Sequence, residues 1–309
     1  MTSLIISVII CTRNRFADFE ATIGSLAKQI RLPDELIVVD SSDTEGVHEY
    51  LNRSNIPMPF YYFHTRPGLT YQRNVGIEKS RGQLLFFFDD DIHLEPNYIE
   101  LIEKVFIDDT LGRIGAVGGR IAGMKRREKT SIFHWLKKNY FNMLRHIFLQ
   151  SDFGTGRFRY SGMPTHPHLL MTSRYIECLS GCCMAFRRQV FTLARFDEKL
   201  RGYGQMEDAD ISKQVLNAGY KIYYEASAVL DHKISAADRL KDRELAEMTV
   251  LNYAYLFRKH WAQNLGRKIA FYWTLLGLFV LYIHSSLGRQ GVLSGFKQIV
   301  QEVRTPNAI

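Results

Sequence analysis

Three consecutive carboxylates, Asp89, Asp90 and Asp91, follow directly on the apolar run Leu84 to Phe88. A run this short, apolar at every position and preceded by Gly82, reads as a strand buried on both faces. The charges at its end then lie at a sheet edge, and in open α/β sheets ligands bind in the crevice outside the strands' carboxyl ends. Adjacent acids repel one another, which a divalent cation would relieve, and hard carboxylate oxygens suit Mg2+ or Mn2+. Mg2+ keeps several waters and takes one or two carboxylates together with substrate phosphates, so the cluster points to a phosphate-bearing ligand. The same residues would also serve as an acidic turn before the next helix, with Asp91 or Glu95 near its N-terminus.

Other residues favour the ligand. Asp40 closes a second buried strand, where it can accept hydrogen bonds from a base or ribose, or else initiate a turn. Arg13 and Arg15 follow the first strand and can serve a diphosphate, as can Arg73 and Asn74 on the polar face of a helix. In "MEDADI", Glu207 and Asp208 open a helix after a Gly-flanked loop, where the dipole and backbone donors hold a carboxylate. Together these describe a nucleotide–metal pocket.

The elements that must position them alternate. Strands are expected at 4–12, 35–43, 59–65, 84–88 and 113–123, and helices after Asn14, at 70–80 and at 97–108, with Asn14 as a helix cap. Strands alternating with helices imply α/β architecture with a mixed, mostly parallel sheet covered on both faces. Residues 131–149 read as an amphipathic helix, followed by Gly- and Pro-rich loops whose histidines, His166 and His168 among them, are expected to shape a substrate site. A helix and a strand follow within 202–225, and the chain is helical after 240.

Of 309 residues, 46% are hydrophobic and 23% charged, an ordinary globular balance with ample core. The four cysteines, Cys11, Cys178, Cys182 and Cys183, form no disulfide framework and lack metal-knuckle spacing, so they read as reduced thiols. No charged start leads into an apolar segment, so no secretory signal is expected. The net charge of +8 suits anionic partners. Basic residues cluster at 125–129, 137–138 and 258–268 beside aromatic and aliphatic residues, the pattern of a membrane-interface surface rather than of nucleic-acid recognition. The uncharged stretch 269–288 is barely long enough to span a bilayer; an interfacial or buried helix is the stronger expectation.

The segments "SVIICTRNR" (7–15), "ELIVVDSSD" (35–43), "GLTYQRNVGI" (68–77) and "FFFDDD" (86–91) resemble the nucleotide-binding half of family 2 glycosyltransferases with the GT-A fold. "GCCMAFRRQVF" (181–191) and "FDEKLRGYGQMEDADISKQVLNAGY" (196–220) resemble the acceptor half. The resemblance implies a Rossmann-like GT-A domain at 1–240, with a nucleotide-sugar half at 1–123 and an acceptor half at 124–240; the tail at 241–309 carries no comparable signature, and its composition predicts a helical, membrane-associated segment. It implies donor-binding roles for Thr12, Arg13, Asn14, Asp40, Arg73, Asp89 and Asp90. Asp91 and His232 become metal ligands, Asp208 the catalytic base, and Glu207 and Arg187 acceptor-side residues. The implied enzyme is an inverting hexosyltransferase assisted by Mn2+ or Mg2+. It would move one sugar from a UDP-, GDP- or dTDP-linked donor to a glycan or lipid-linked glycan, on the inner face of the cell membrane. The chain departs from the family in carrying DDD for acid–spacer–acid, Cys11 for a common proline, and no QxxRW motif, which favours single addition over processive synthesis. The alternatives are a sugar-nucleotide pyrophosphorylase, which would want a glycine-rich loop where "TRNRFADFE" has none, and a non-catalytic nucleotide-binding protein.

Overall fold

Alternate residues of the central strands enter two different cores. Val8, Ile10, Leu36, Val38, Phe86 and Phe88 pack into one cluster, while Ile9, Ile37, Val39, Leu85 and Phe87 pack into another. Side chains of a strand point to opposite faces in turn, so strands apolar at every position require helices on both sides. The computed structural model that shows this describes residues 3–122, 132–152, 154–168, 170–200, 204–233, 242–283 and 285–304. The basic cluster at 125–129 and both expected domain boundaries, 123/124 and 240/241, lie outside the described residues.

The first half alternates as expected: β1 (Ile6–Thr12), α1 (Phe16–Leu26), β2 (Glu35–Asp40), α2 (Gly46–Arg53), β3 (Phe60–His64), α3 (Leu69–Lys79) and β4 (Leu84–Phe88). There follow β5 (Ile92–Leu94), α4 (Tyr98–Asp108), β6 (Ile114–Ala122), α5 (Ile132–Ile147), β7 (Arg174–Ile176), β8 (Cys183–Arg187), α6 (Glu207–Asn217) and β9 (Lys221–His232). Three long helices come last, α7 (Asp242–His260), α8 (Leu265–Tyr282) and α9 (Ser286–Arg304). Among the described residues the strands form one sheet in the order β3-β2-β1-β4-β8-β6-β9-β5, with β7 also on β9. Pairing is parallel across β3-β2-β1-β4 and between β6 and β9; β8 runs antiparallel to both its neighbours, as β5 and β7 do to β9. The sheet is therefore mixed, and purely parallel only in its first half.

The first core is closed by α1 and α4, through residues such as Phe19, Ile23, Tyr98 and Ile102. The second is closed by α3 and α6, through Val75, Ile77, Ile211 and Val215. A third cluster joins α7, α8 and α9 to Ala209 of α6. Polar contacts reinforce that joint: Asp210, 1% exposed, accepts from His260 Nε2 at 2.7 Å and from Lys259 Nζ at 2.9 Å. Asn14 does not cap α1, which has no side-chain cap. It takes a left-handed backbone with φ 53° and pairs with Asp43, donating from Nδ2 at 2.8 Å and accepting the Asp43 N–H at 2.9 Å. Asparagine tolerates this conformation because its short amide bonds locally; here it ties the loop after β1 to the loop after β2.

Candidate active site

Register decides which residues share the edge. Thr12 is opposite Asp40 and Ile10 opposite Phe88, so β1, β2 and β4 end together. β8 begins at that same edge because it runs backwards, with Cys183 opposite Phe88, and the Asp89 N–H donates to the Cys182 carbonyl at 3.2 Å. β9 arrives with its last residue, His232, opposite Ile92.

The three aspartates then part company. Asp90 turns inward, 4% exposed, accepting the Thr12 hydroxyl at 2.7 Å and the Arg15 guanidinium at 3.3 Å. Burial pushes its carboxyl up to about 7, against the pull of Thr12 and Arg15. Asp89 and Asp91 meet His232, one ligand atom from each lying within 4.8 Å of the others, while Asp91 also stands 3.8 Å from Arg15. His232 Nε2 is 2.9 Å from Asp91 Oδ1. Burial disfavours the imidazolium, but Asp91 and Asp89 overcome it and raise the histidine's pKa. Two carboxylates and an imidazole, with Asp90 as spacer, form a donor set that fits a divalent cation such as Mn2+.

Arg73 bridges this cluster to the second acidic pair. Only 2% exposed, it donates to Asp89 at 3.1 Å, to the Gly181 carbonyl at 2.9 Å and to Glu207 Oε1. Burial opposes its charge, and Glu207 and Asp89 outweigh burial, so its pKa is raised. Burial and the neighbouring Asp208 push Glu207 up to about 7, against Arg73. Asp208 moves the opposite way. Burial would raise it, yet the His166 charge and hydrogen bond prevail and its pKa is lowered. Its Oδ2 lies 2.9 Å from His166 Nε2 and accepts the Gly181 N–H at 3.0 Å, while Oδ1 accepts the Ala209 N–H at 2.7 Å. A Cβ at Gly181 would stand 2.6 Å from Glu207 Oε1, so any larger residue there would push that carboxylate off its place beside Arg73. His166 is in turn raised well above its usual value: burial opposes the imidazolium, and the Asp208 carboxylate more than compensates.

These groups line one cleft of about 870 Å3, whose wall also includes Arg13, Arg15 and Gly204. A second cleft of about 820 Å3 shares Pro67 with it and is lined by Ser42, His48, Tyr62, His64 and Arg66. Inside it the His48 and Tyr62 rings stack at 4.5 Å.

Comparison with known proteins accords with this geometry. The family model described as glycosyl transferase family 2 matches residues 7–192, more than half of the chain. The chain belongs to glycosyl transferase family 2. It is 33% identical over 100 residues to an uncharacterized glycosyltransferase of Haemophilus influenzae, a match covering 32% of this chain and 34% of that one. It is 29% identical over 131 residues to the glucosyl-dolichyl phosphate glucuronosyltransferase of Haloferax volcanii, covering 38% of each. The chain thus spans little more than a third of these relatives. Among solved structures, GalNAc-T7 with UDP, GalNAc and Mn2+ superposes with TM-score 0.65 at 16% identity, covering 99% of this chain and 58% of that one. The mannosyltransferase PcManGT from Pyrobaculum calidifontis, in complex with GDP-Man and Mn2+, superposes with TM-score 0.57 at 15% identity, covering 99% and 82%. The fold is GT-A.

Within this family 2 fold, Thr12, Arg13, Asn14, Arg73, Asp89, Asp90, Asp91, Glu207, Asp208 and His232 all gather at one edge. Arg187, expected on the acceptor side, does not. It pairs with Leu84, four residues back along the sheet from the Phe88–Cys183 pair, roughly 13 Å away at strand spacing. There it donates to the Phe106 and Ile114 carbonyls at 2.8 and 3.0 Å and to Asp109 at 3.1 Å. The antiparallel course of β8 carries it to the opposite edge. Asp40 reaches the expected edge but is fully buried, accepting the Ser42 N–H at 2.8 Å and the Tyr62 hydroxyl at 3.0 Å. It braces the second cleft rather than lining it. Sequence reasoning counted His166 among several loop histidines expected to shape a substrate site, but nothing in the sequence tied it to Asp208.

Proposed function

We propose that this protein is a metal-assisted, inverting hexosyltransferase that takes a nucleotide-sugar and adds one sugar to a hydroxyl of a glycan or lipid-linked glycan. The observation that carries the proposal is Asp208. It is kept ionised by His166 and two backbone N–H groups, and Arg73 bridges its neighbour Glu207 to Asp89 of the Asp89–Asp91–His232 cluster. The nucleoside lies against Tyr62 and His48 in the second cleft, and the diphosphate reaches from Pro67 towards Arg13, Arg15 and the acidic edge. Residues 1–123 serve the donor, and 124–240 the acceptor.

In the reaction, Asp208 accepts the proton of the acceptor hydroxyl as its oxygen attacks the anomeric carbon. The bond from that carbon to the diphosphate breaks, and its electron pair leaves with the nucleoside diphosphate. One base and direct displacement invert the anomeric centre. Asp89, Asp91 and His232 would hold Mn2+ or Mg2+, whose charge would stabilise the departing diphosphate. Arg73 keeps Asp89 and Glu207 from repelling one another, and Glu207, sharing that guanidinium, faces the acceptor.

A thermal-shift panel of UDP, GDP, dTDP and CMP, each with and without Mn2+, tests the donor site. One nucleotide should stabilise the protein in a Mn2+-dependent way. With the matching nucleotide-sugar, Asp208→Asn should keep that stabilisation and lose turnover by about 10²- to 10⁴-fold. A panel without any shift, or transfer at the normal rate by Asp208→Asn, would overturn the proposal.

A further inference from the structure

We propose that α5 and α8 together form a docking face for an anionic lipid bilayer, on which the protein lies without crossing it. Two matched rows of exposed apolar residues mark the face. On α5 they are Leu136, Tyr140, Met143 and Ile147; on α8 they are Leu265, Ile269, Tyr272 and Leu276. All are between 47% and 73% exposed. Both rows follow the spacing i, i+4, i+7, i+11, which places each along a single side of its helix. Hydrophobic residues scattered singly over a surface need no explanation, but two continuous rows on neighbouring helices mark an interaction surface. The rows meet where the half-exposed Trp273 donates from Nε1 to the Ile147 carbonyl at 2.8 Å, its ring 4.9 Å from Phe148.

Charge identifies the partner. Neither helix contains an aspartate or glutamate, while Lys137 and Arg145 are exposed on α5 and Lys268 on α8, beside Ile269. An acid-free apolar face with basic and aromatic residues fits the headgroup region of an anionic leaflet.

The helix α8 is long and apolar enough to cross a membrane by length and composition. Crossing would place α7 and α9 on opposite sides of the bilayer, yet these two helices are packed against each other. Gly291 of α9 sits so close to α7 that a Cβ would stand 2.1 Å from the Arg243 carbonyl oxygen. Val292 is fully buried, and Ser294 donates to Glu247 at 3.0 Å. The inner side of α8 is also spoken for, since Phe271 stacks on Phe257 of α7 at 4.2 Å. Only the outer side remains for lipid.

The face ends close to the cleft. At the start of α8, Arg267 lies 4.8 Å above the Tyr160 ring and donates to its carbonyl at 3.1 Å. Tyr160 belongs to the turn closed by the Phe158–Pro164 bridge, and Pro164 and His166 line the cleft that holds Asp208. On the function proposed above, an acceptor carried on a lipid would approach Asp208 from this side.

Flotation of the full chain with phosphatidylcholine vesicles, with and without phosphatidylglycerol and without any nucleotide, tests the docking face itself. Binding is expected only with phosphatidylglycerol, weakened by salt, and about fivefold weaker for each of Lys137→Gln and Lys268→Gln. Tyr140→Glu with Tyr272→Glu should abolish flotation while preserving the melting temperature, which separates lost docking from lost folding. Flotation of that double variant like the parent, or equal binding to neutral vesicles, would refute the proposal. Retention in cell membranes through alkaline carbonate would show a span and refute it too. A dimer in solution that the double variant loses, without vesicle binding, would assign the face to a second copy of the chain. A protein that floats but responds to no nucleotide would fail the proposed function and leave the docking face standing.

Discussion

His166→Gln is the substitution that most directly tests how the site sets its base. In the folded protein the half-buried His166 and the buried Asp208 stand 2.9 Å apart, the histidine raised and the aspartate lowered. A hydrogen bond to a charged group contributes roughly 1.5–3 kcal/mol, and one pKa unit corresponds to about 1.4 kcal/mol. Glutamine keeps a donor in place but removes the charge, so the Asp208 pKa should rise. The acidic limb of the kcat/KM profile should move up with it. Stability should change with a defined sign. The Asp208 share is present above about pH 4, its unfolded value, and is lost as pH falls through its lower folded pKa. The His166 share is complete below about pH 6.5 and is lost only as pH rises through its raised folded pKa. The parent should therefore exceed the variant in stability most between about pH 4 and pH 6.5. His168, whose ring lies 5.4 Å from that of His166, is pushed down to about 4 by burial and then by the His166 charge, and should rise in the variant. Imidazole NMR titration of the free protein and pH–rate profiles read these effects separately. A His166 that titrates at or below 6.5, or an acidic limb unmoved in the variant, would refute the reasoning.

The aspartate triplet makes a sharper prediction than its sequence does: Asp91→Asn and His232→Ala should lose the Mn2+-dependent part of nucleotide stabilisation in thermal shift, whereas Asp90→Asn, whose carboxylate is engaged by Thr12 and Arg15, should keep it. Equal loss in all three would show that Asp90 belongs to the metal set. Asp210→Ala should destabilise the protein by about 3 kcal/mol in urea unfolding, because it takes the buried carboxylate from His260 and leaves Lys259 with Asp197 only. A cost below about 1 kcal/mol would mean that α7 is held to α6 by apolar packing alone.

The sequence by itself determined the strands and the acidic edge. Leu84 to Phe88 is apolar at every position because both faces of β4 are covered, and no other local structure buries such a run so short. Strands that pair in parallel end together, so Thr12, Asp40 and Asp89 had to share an edge once their strands were recognised. What the sequence could not contain was orientation across that edge. Three adjacent aspartates are chemically identical; only the arrival of His232 at the end of β9 and of Thr12 at the end of β1 separates Asp89 and Asp91 from Asp90. Arg187 sits among residues that resemble the acceptor half, yet strand direction, a property of the whole sheet, carries it to the far side. His166 is distant in sequence from Asp208 and meets it only through a loop whose course follows from packing against the final helices. The same holds for α8: its composition permits a span, an interfacial helix or a buried one. The choice rests on α7 and α9 closing against each other, a contact between segments that no local pattern encodes.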